Sequence, residues 1–346
     1  VALDGERCSL KACHRFQIVG EGGMKTLLRG LGVALVLIVV LATGGWFLLQ
    51  RPDIPYATLE QRYGYADSQY MDLPGGVRAH YRDLGPREAP AIVLVHGFSA
   101  STHAWDAWAK ALASDYRVVV LDLPGHGLTR TPAGYTAGRD GFDATVEGVT
   151  TKLGLTRFTL GGNSMGGGVA WAYTLDHPGK VERLVLVDAA GWPMSRKGGA
   201  SIFAIMRNPL GRKLLRNIDT RPLVAQGLRD AYLDPKLVTP ALVDRYVDLA
   251  RAPGHRDILL GLQTGARRQA TAADLSRIHV PTLIMVGQED RLIPAADGEK
   301  FHKAIPGATL ILYPAVGHVP MEQIPERSAA DLKAWLAAHP PAALRP

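Results

Sequence analysis

Ser164 sits in the run Gly162-Asn163-Ser164-Met165-Gly166-Gly167-Gly168, where glycines crowd a hydroxyl that a sharp turn could expose. The apolar run Phe158-Thr-Leu160 before it suits a buried strand, and Val169-Ala170-Trp171-Ala172 after it suits a helix. A serine on a strained strand-to-helix turn needs small residues where backbones close in, and the following helix N-terminus aims N–H groups at charge forming on the serine. A glycine-rich structural turn with an idle serine is the plain alternative, since a bare G-x-S-x-G is a weak pattern. The strand and helix on either side favour a nucleophile.

A serine nucleophile needs a base, and imidazole titrates in the useful range. Of eleven histidines, the order Ser, acid, His leaves few. His318, in Gly317-His318-Val319-Pro320, follows the last apolar run. By contrast His302 falls in a helical pattern, His279 leads into a strand, and His339 is near the tail. The acid expected after the penultimate strand is Asp290, in Gly287-Gln288-Glu289-Asp290-Arg291-Leu292-Ile293-Pro294, with Glu289 as a neighbour easily mistaken for it. Its role would be to hold the imidazole tautomer and stabilise the imidazolium. Asp188, ending an earlier strand, is the alternative acid. For an oxyanion the expected donors are the backbone N–H groups of Met165 and of Phe98, the latter in His96-Gly97-Phe98-Ser99, where His96 is expected to be structural.

The elements that must position these groups follow a regular series. Short β-branched runs at 77–81, 91–95, 117–121, 158–160, 184–187, 282–286 and 309–312 read as strands, most of them covered on both faces. Helical patterns at 102–113, 140–153, 166–177 and 325–338 alternate with them, so the fold class is α/β with a doubly wound, mostly parallel sheet. Between Val187 and Thr282 the alternation fails, and several helical patterns occur with no good strand. The expected organisation is therefore a core in two parts, 76–191 and 276–346, interrupted by a helical cap at 192–275. Residues 192–274 hold fourteen Lys/Arg and seven Asp/Glu, which makes the cap the basic part of the chain. Dispersed charge of this kind more often belongs to solvated helix faces than to a binding patch.

The net charge of +7 includes +3 from residues 1–51, and no basic block or nucleic-acid motif stands in the rest, so nucleic acid is not an expected partner. Both cysteines, Cys8 and Cys13, precede Met24, which removes disulfides, thiolate nucleophiles and Cys-based metal sites from everything after it. From Gly30 to Gln50 no side chain is charged, and about 20 apolar residues span a hydrocarbon core of about 30 Å. Lys25 and Arg29 place the N-terminal side of this segment in the cytoplasm. We expect a signal anchor over 24–50, with a cleaved signal peptide as the alternative. Residues 1–23 lack apolar periodicity and are expected to be a non-native or disordered extension before a start at Met24, and 51–75, with Pro52, Pro55 and Pro74, a linker.

From about Val77 to His339 the chain resembles the α/β-hydrolase superfamily. The resemblance rests on His96-Gly-Phe-Ser99, Asp122-Leu-Pro-Gly-His-Gly127, the Ser164 run, Asp290-Arg-Leu-Ile-Pro294 and Gly317-His-Val-Pro320. Within it, the Gly-Asn-Ser-Met-Gly-Gly turn, Leu186-Val-Asp-Ala-Ala-Gly-Trp-Pro193 and the leading apolar segment look like bacterial family V lipases and membrane-anchored monoacylglycerol lipases. The resemblance implies hydrolysis of a carboxylic ester, including lipid esters, through an acyl-enzyme on Ser164, with no metal or organic cofactor. Meta-cleavage-product hydrolases, which cut carbon–carbon bonds, share the turn and are the alternative; a non-catalytic binding protein on this fold is the second. Phe98, Trp105, Met165 and Trp192 are the expected pocket lining. The expected location is a bacterial inner membrane, single-pass, with the catalytic domain on the periplasmic side, or secretion after signal cleavage.

Overall fold

A computed structural model describes residues 10–193, 208–262 and 268–341, so residues 1–9 of the expected extension and 194–207 and 263–267 of the expected cap lie outside the described residues. The chain divides into two compact units, 1–51 and 52–346. Among the described residues the first holds a single helix, α1 (Leu10–Leu49). It contains Gly23–Leu49, 27 residues in which an 18-residue stretch has a mean hydropathy of 2.4. At 1.5 Å per residue that length is about 40 Å, enough to cross a bilayer with some tilt. The same length and composition would also fit a signal sequence. Helix begins at Leu10, inside the stretch expected to lack structure.

In the second unit the order is α2 (Tyr56–Tyr63), β1 (Gln69–Asp72), β2 (Arg78–Leu84), β3 (Ala91–Val95), α3 (Asp106–Leu112), β4 (Arg117–Leu121), α4 (Arg139–Lys152), β5 (Phe158–Asn163), α5 (Met165–Asp176) and β6 (Val181–Val187). Helices α6 (Pro209–Asn217), α7 (Arg221–Tyr232), α8 (Pro240–Ala250), α9 (His255–Leu262) and α10 (Ala272–Leu275) follow. Then come β7 (Thr282–Gly287), α11 (Ala295–Ala304), β8 (Thr309–Tyr313), α12 (Pro320–Gln323) and α13 (Pro325–Ala338). The eight strands form one sheet in the order β1-β2-β4-β3-β5-β6-β7-β8. From β4 to β8 every pairing is parallel, while β1 and β2 pair antiparallel with each other and β2 with β4.

Strand β3 shows why its sequence lacks polar alternation. Ile92 and Leu94 join one hydrophobic cluster with α3 and α13, and Val93 and Val95 join the other with α4 and α5. Both faces are covered, so both registers must be apolar. Between β6 and β7 the described residues contain helices and no strand.

Two elements lie where a linker was expected. Leu59 of α2 is fully buried with Ile54, Leu128 and Leu249, and the Arg62 and Tyr63 side chains donate to Asp248 of α8. A helix of eight residues with one buried position has no period to detect, and β1 has only four residues with a graded rather than alternating burial.

Candidate functional site

The site is built at the C-terminal ends of β3, β5, β6 and β7 and in the loop after β8. Ser164 connects β5 directly to α5 and takes φ 53° and ψ −117°, a conformation that costs a side-chain-bearing residue of order 1–3 kcal/mol. The surroundings over-determine it. The Ser164 N–H donates to the Val187 carbonyl at 3.0 Å, and the Ser164 carbonyl accepts from Gly168 and Ala190 at 3.0 and 2.9 Å. Glycines are obligatory where α5 approaches the sheet: a Cβ on Gly166 would run into the Val95 and His96 carbonyls, and one on Gly167 into Ala189.

His318 and Asp290 come together as expected. His318 Nδ1 lies 2.6 Å from Asp290 Oδ2, and both residues are buried. The other Asp290 oxygen accepts from Leu292 and Ile293 N–H at 2.7 and 3.0 Å, which fixes the carboxylate plane. With Nδ1 committed to Asp290, Nε2 is the imidazole nitrogen left for proton exchange. The His318 N–H in turn donates to the Ala231 carbonyl at the end of α7, at 2.8 Å. Glu289 points elsewhere, exposed and accepting from Val316 N–H at 3.2 Å.

Asn163 has a role that its place in the serine motif does not announce. Its amide donates to the Val187 carbonyl at 3.2 Å and to the His318 carbonyl at 3.0 Å, tying β5, β6 and the histidine loop together next to the serine. Nothing in the sequence marks this, because both partners are backbone atoms distant along the chain.

Asp188 does not replace Asp290 as the partner of His318. It directly follows β6 with φ 43°, is 2% exposed, and its Oδ1 accepts from Gly287 N–H at 3.0 Å. Burial, and then the adjacent Asp290 charge, push its carboxyl well above the usual carboxylate range, so it tends to hold a proton. Asp188, Asp290 and His318 present ligand-type atoms within 4.8 Å of one another, a spacing open to a metal ion. The 2.6 Å separation of Nδ1 and Oδ2 is that of a hydrogen bond, however, which commits these two atoms to each other.

The loop after β3 lies against the serine, since a Cβ on Gly97 would stand 3.2 Å from Ser164 Cβ and 2.8 Å from Asn163 Oδ1. Phe98 follows it, half-buried and edge-on to His126 at 6.1 Å. Met165 is the first residue of α5, where backbone N–H groups have no partner within the helix. A network not foreseen from sequence holds this loop. Buried Asp122 accepts from His80 Nδ1 at 2.6 Å, Thr102 N–H at 2.7 Å and Leu128 N–H at 2.9 Å. His96 donates from Nδ1 to the Gly97 carbonyl at 2.7 Å and accepts from Leu123 N–H at Nε2, the structural part expected of it.

Of the two tryptophans expected to line a pocket, Trp105 is placed in the core instead. Trp105 is fully buried and packs on Trp108 at 5.2 Å in the core cluster of α3 and α13, because its one-turn helix faces inward. Trp192 packs edge-on against Phe301 of α11 at 5.6 Å.

Burial holds the imidazoles of His96, His126 and His255 below their usual pKa, so the folded chain keeps them neutral while the unfolded chain protonates them below about 6.5. The unfolded state therefore binds more protons, and stability falls as pH drops below about 6.5, by up to about 1.4 kcal/mol per pH unit for each histidine. Thermal midpoints measured between pH 7.5 and 5 should decline from near 6.5 downward, well before carboxylates titrate; a flat profile to pH 5 would contradict this.

Comparisons with known proteins agree with the geometry. A family model described as alpha/beta hydrolase fold matches residues 90–323. A 2-hydroxy-6-oxononadienedioate/2-hydroxy-6-oxononatrienedioate hydrolase of Paraburkholderia phymatum is 31% identical over 270 residues, 73% of this chain and 90% of that one. A pimeloyl-acyl-carrier-protein methyl ester esterase of Nitrosomonas europaea is 28% identical over 255 residues, 69% and 92% of the two chains. Among solved structures, a bacterial membrane phospholipase A described as a virulence factor is similar with a TM-score of 0.66 and 26% identity, covering 91% of this chain and 98% of its own.

Proposed function

Since the chain belongs to the α/β-hydrolase family, we propose that it is a serine hydrolase of carboxylic esters, with Ser164 as nucleophile, His318 as base and Asp290 as the acid that orients it. The observation that carries this reading is the fixed assembly of the strained Ser164 turn with the His318–Asp290 pair, braced by Asn163. Ser164 Oγ attacks the ester carbonyl as His318 Nε2 takes its proton. The tetrahedral oxyanion meets the N–H groups of Phe98 and Met165. Collapse breaks the bond to the alcohol, which leaves with the proton from His318. Water then gives its proton to the same nitrogen and attacks the acyl-enzyme, and the carboxylic acid departs as Ser164 recovers its proton.

We further propose a lipid-like ester substrate taken from a membrane to which Gly23–Leu49 anchors the protein, with the helices between β6 and β7 acting as a cap. The apolar helix supports this, as does the likeness to the membrane phospholipase A structure. Carbon–carbon hydrolysis is the second reading, favoured by the 31% identical hydrolase of a 2-hydroxy-6-oxo acid. A panel of acylglycerols, p-nitrophenyl esters of graded length and a vinylogous diketone acid separates the two. Turnover of the diketone acid with none of the esters would overturn the first reading.

The anchor has its own test. Deleting residues 1–51 is expected to lower turnover of vesicle-borne ester about tenfold or more, through lost effective concentration, and to leave turnover of a water-soluble ester unchanged. An equal effect on both substrates would remove the case for a membrane-borne substrate.

A further inference from the structure

Two carboxyl groups meet beside the histidine. Asp188 Oδ1 accepts from Gly287 N–H at 3.0 Å, but Oδ2 is buried and no N–H or hydroxyl among the described residues reaches it. The neighbour is Asp290: the two side chains are in hydrogen-bond contact, and ligand-type atoms of Asp188, Asp290 and His318 lie within 4.8 Å of one another. A carboxylate only accepts, so a bond between two carboxyl groups requires a proton on one of them. Nor can both ionise so close together away from water.

The supply of donors says where the proton sits. Asp290 accepts from Leu292 N–H, Ile293 N–H and His318 Nδ1, while Asp188 accepts from Gly287 N–H alone. N–H donors favour the ionised form, so Asp290 is the carboxylate and Asp188 the acid. Burial, and then the Asp290 charge, act in the same direction by pushing the Asp188 carboxyl upward. Among the described residues the other titratable groups within reach of Asp188 are His318 and, at the end of β8, Tyr313, whose hydroxyl is committed to Asp331 at 3.0 Å. We propose that Asp188 is a positioning residue for the Ser164 reaction: it carries a proton, donates it in a hydrogen bond to Asp290, and through that carboxylate lowers the basicity of His318. The proposal rests on the reading of Ser164 as nucleophile and His318 as its base.

A carboxylate that already takes a hydrogen bond from Asp188 has less charge to offer the imidazolium. His318 therefore holds its proton less tightly, and stays a free base to lower pH, than it would beside Asp290 alone. Asn at position 188 keeps the arrangement, with its NH₂ in place of the acid O–H, and tolerates the φ of 43°. Ala removes the donor.

Two measurements on the full chain in detergent test this. The infrared difference spectrum of parent minus Asp188→Asn near neutral pH should show the carbonyl band of a protonated carboxyl. The second is the pH dependence of the rate at which a fluorophosphonate labels Ser164, which falls as His318 becomes protonated. Asp188→Asn should keep the parental midpoint, whereas Asp188→Ala should move it upward by about half a unit or more. A purely structural role would slow labelling in Asp188→Ala without moving the midpoint. Asp188→Gly, which suits a positive φ, takes its place should Asp188→Ala fail to fold. The proposal is overturned if the parent shows no protonated-carboxyl band that the Asn substitution removes, if loss of the donor leaves the parental midpoint in place, or if Asp188→Asn shifts as far as Asp188→Ala. An unlabelled Ser164 in the parent would instead overturn the nucleophile reading and with it the role of Asp188, while the infrared band would still report its proton.

Discussion

Ser164→Ala should lower ester turnover by about six orders of magnitude, to the residual rate that binding and oxyanion donors alone sustain. The size follows from the unit in which the serine acts: without Oγ there is no acyl-enzyme, and the His318–Asp290 pair has no proton to move. Stability should hardly change, because the bonds that fix residue 164 are made by its backbone N–H and carbonyl. A companion variant separates chemistry from strain. Ser164→Gly is equally inactive but relieves a φ of 53° that costs about 1–3 kcal/mol, against about 0.4–1 kcal/mol lost through the greater freedom of glycine in the unfolded chain. Strain relief outweighs that loss, so Ser164→Gly should melt above both the parent and Ser164→Ala. Turnover near the parental rate in either variant would sink the assignment of the nucleophile, and a lower melting point for the glycine variant would sink the account of the strain.

The second large effect distinguishes the two buried carboxyls. Asp290→Asn should reduce kcat by about 10⁴-fold, because an amide facing His318 Nδ1 favours the wrong tautomer while leaving the geometry intact. Asp188→Asn should leave kcat within a few-fold of the parent. The Asn carbonyl can keep the bond from Gly287 N–H, and its NH₂ replaces the proton that Asp188 tends to carry. The linkage has a definite sign. A carboxyl whose folded pKa is raised binds more protons than its unfolded counterpart above about 3.9, so it lowers stability as pH rises toward the folded value. Asp188→Asn removes that penalty and should melt no lower than the parent at neutral pH. Asp188→Ala, by contrast, orphans the Gly287 N–H and should lose about 1–3 kcal/mol. Kinetics and melting curves of the four proteins decide the matter: loss of activity on Asp188→Asn with Asp290→Asn still active would reverse the two roles.

The sequence carries the parts of this site that depend on chain order and local turn chemistry. Strands β3 and β4 have the bounds expected from their apolar runs, since strands covered on both faces must be apolar without interruption. Ser164 and its flanking glycines are legible because a tight turn leaves few residue choices, and Asp290 and His318 because each follows a strand of the same sheet. What sequence could not show depends on distance. Asn163 reaches two carbonyls, one of them 155 positions away. Asp122 gathers N–H groups from loops whose own sequences say nothing of it. Trp105 misled for a related reason: an aromatic close behind the Phe98 loop can face the pocket or the core, and only the direction of a one-turn helix decides. Helix α2 escaped notice because docking one leucine leaves no periodic trace.

The Asn163 brace also bears on chemical ageing. Asparagine followed by serine is a pair prone to deamidation, through attack of the next residue's backbone nitrogen on the side-chain amide. That nitrogen is Ser164 N, which is held on the Val187 carbonyl, while Asn163 is 3% exposed and its amide nitrogen is held on that same carbonyl and on the His318 carbonyl. The bonds that keep the serine turn in shape thus commit both the attacking nitrogen and the amide it would attack. In a stored sample the folded chain should age at other asparagines first. Damage at Asn163 would convert a double donor into a carboxylate facing two carbonyls, and its appearance in a peptide map would report how often this edge of the sheet comes open.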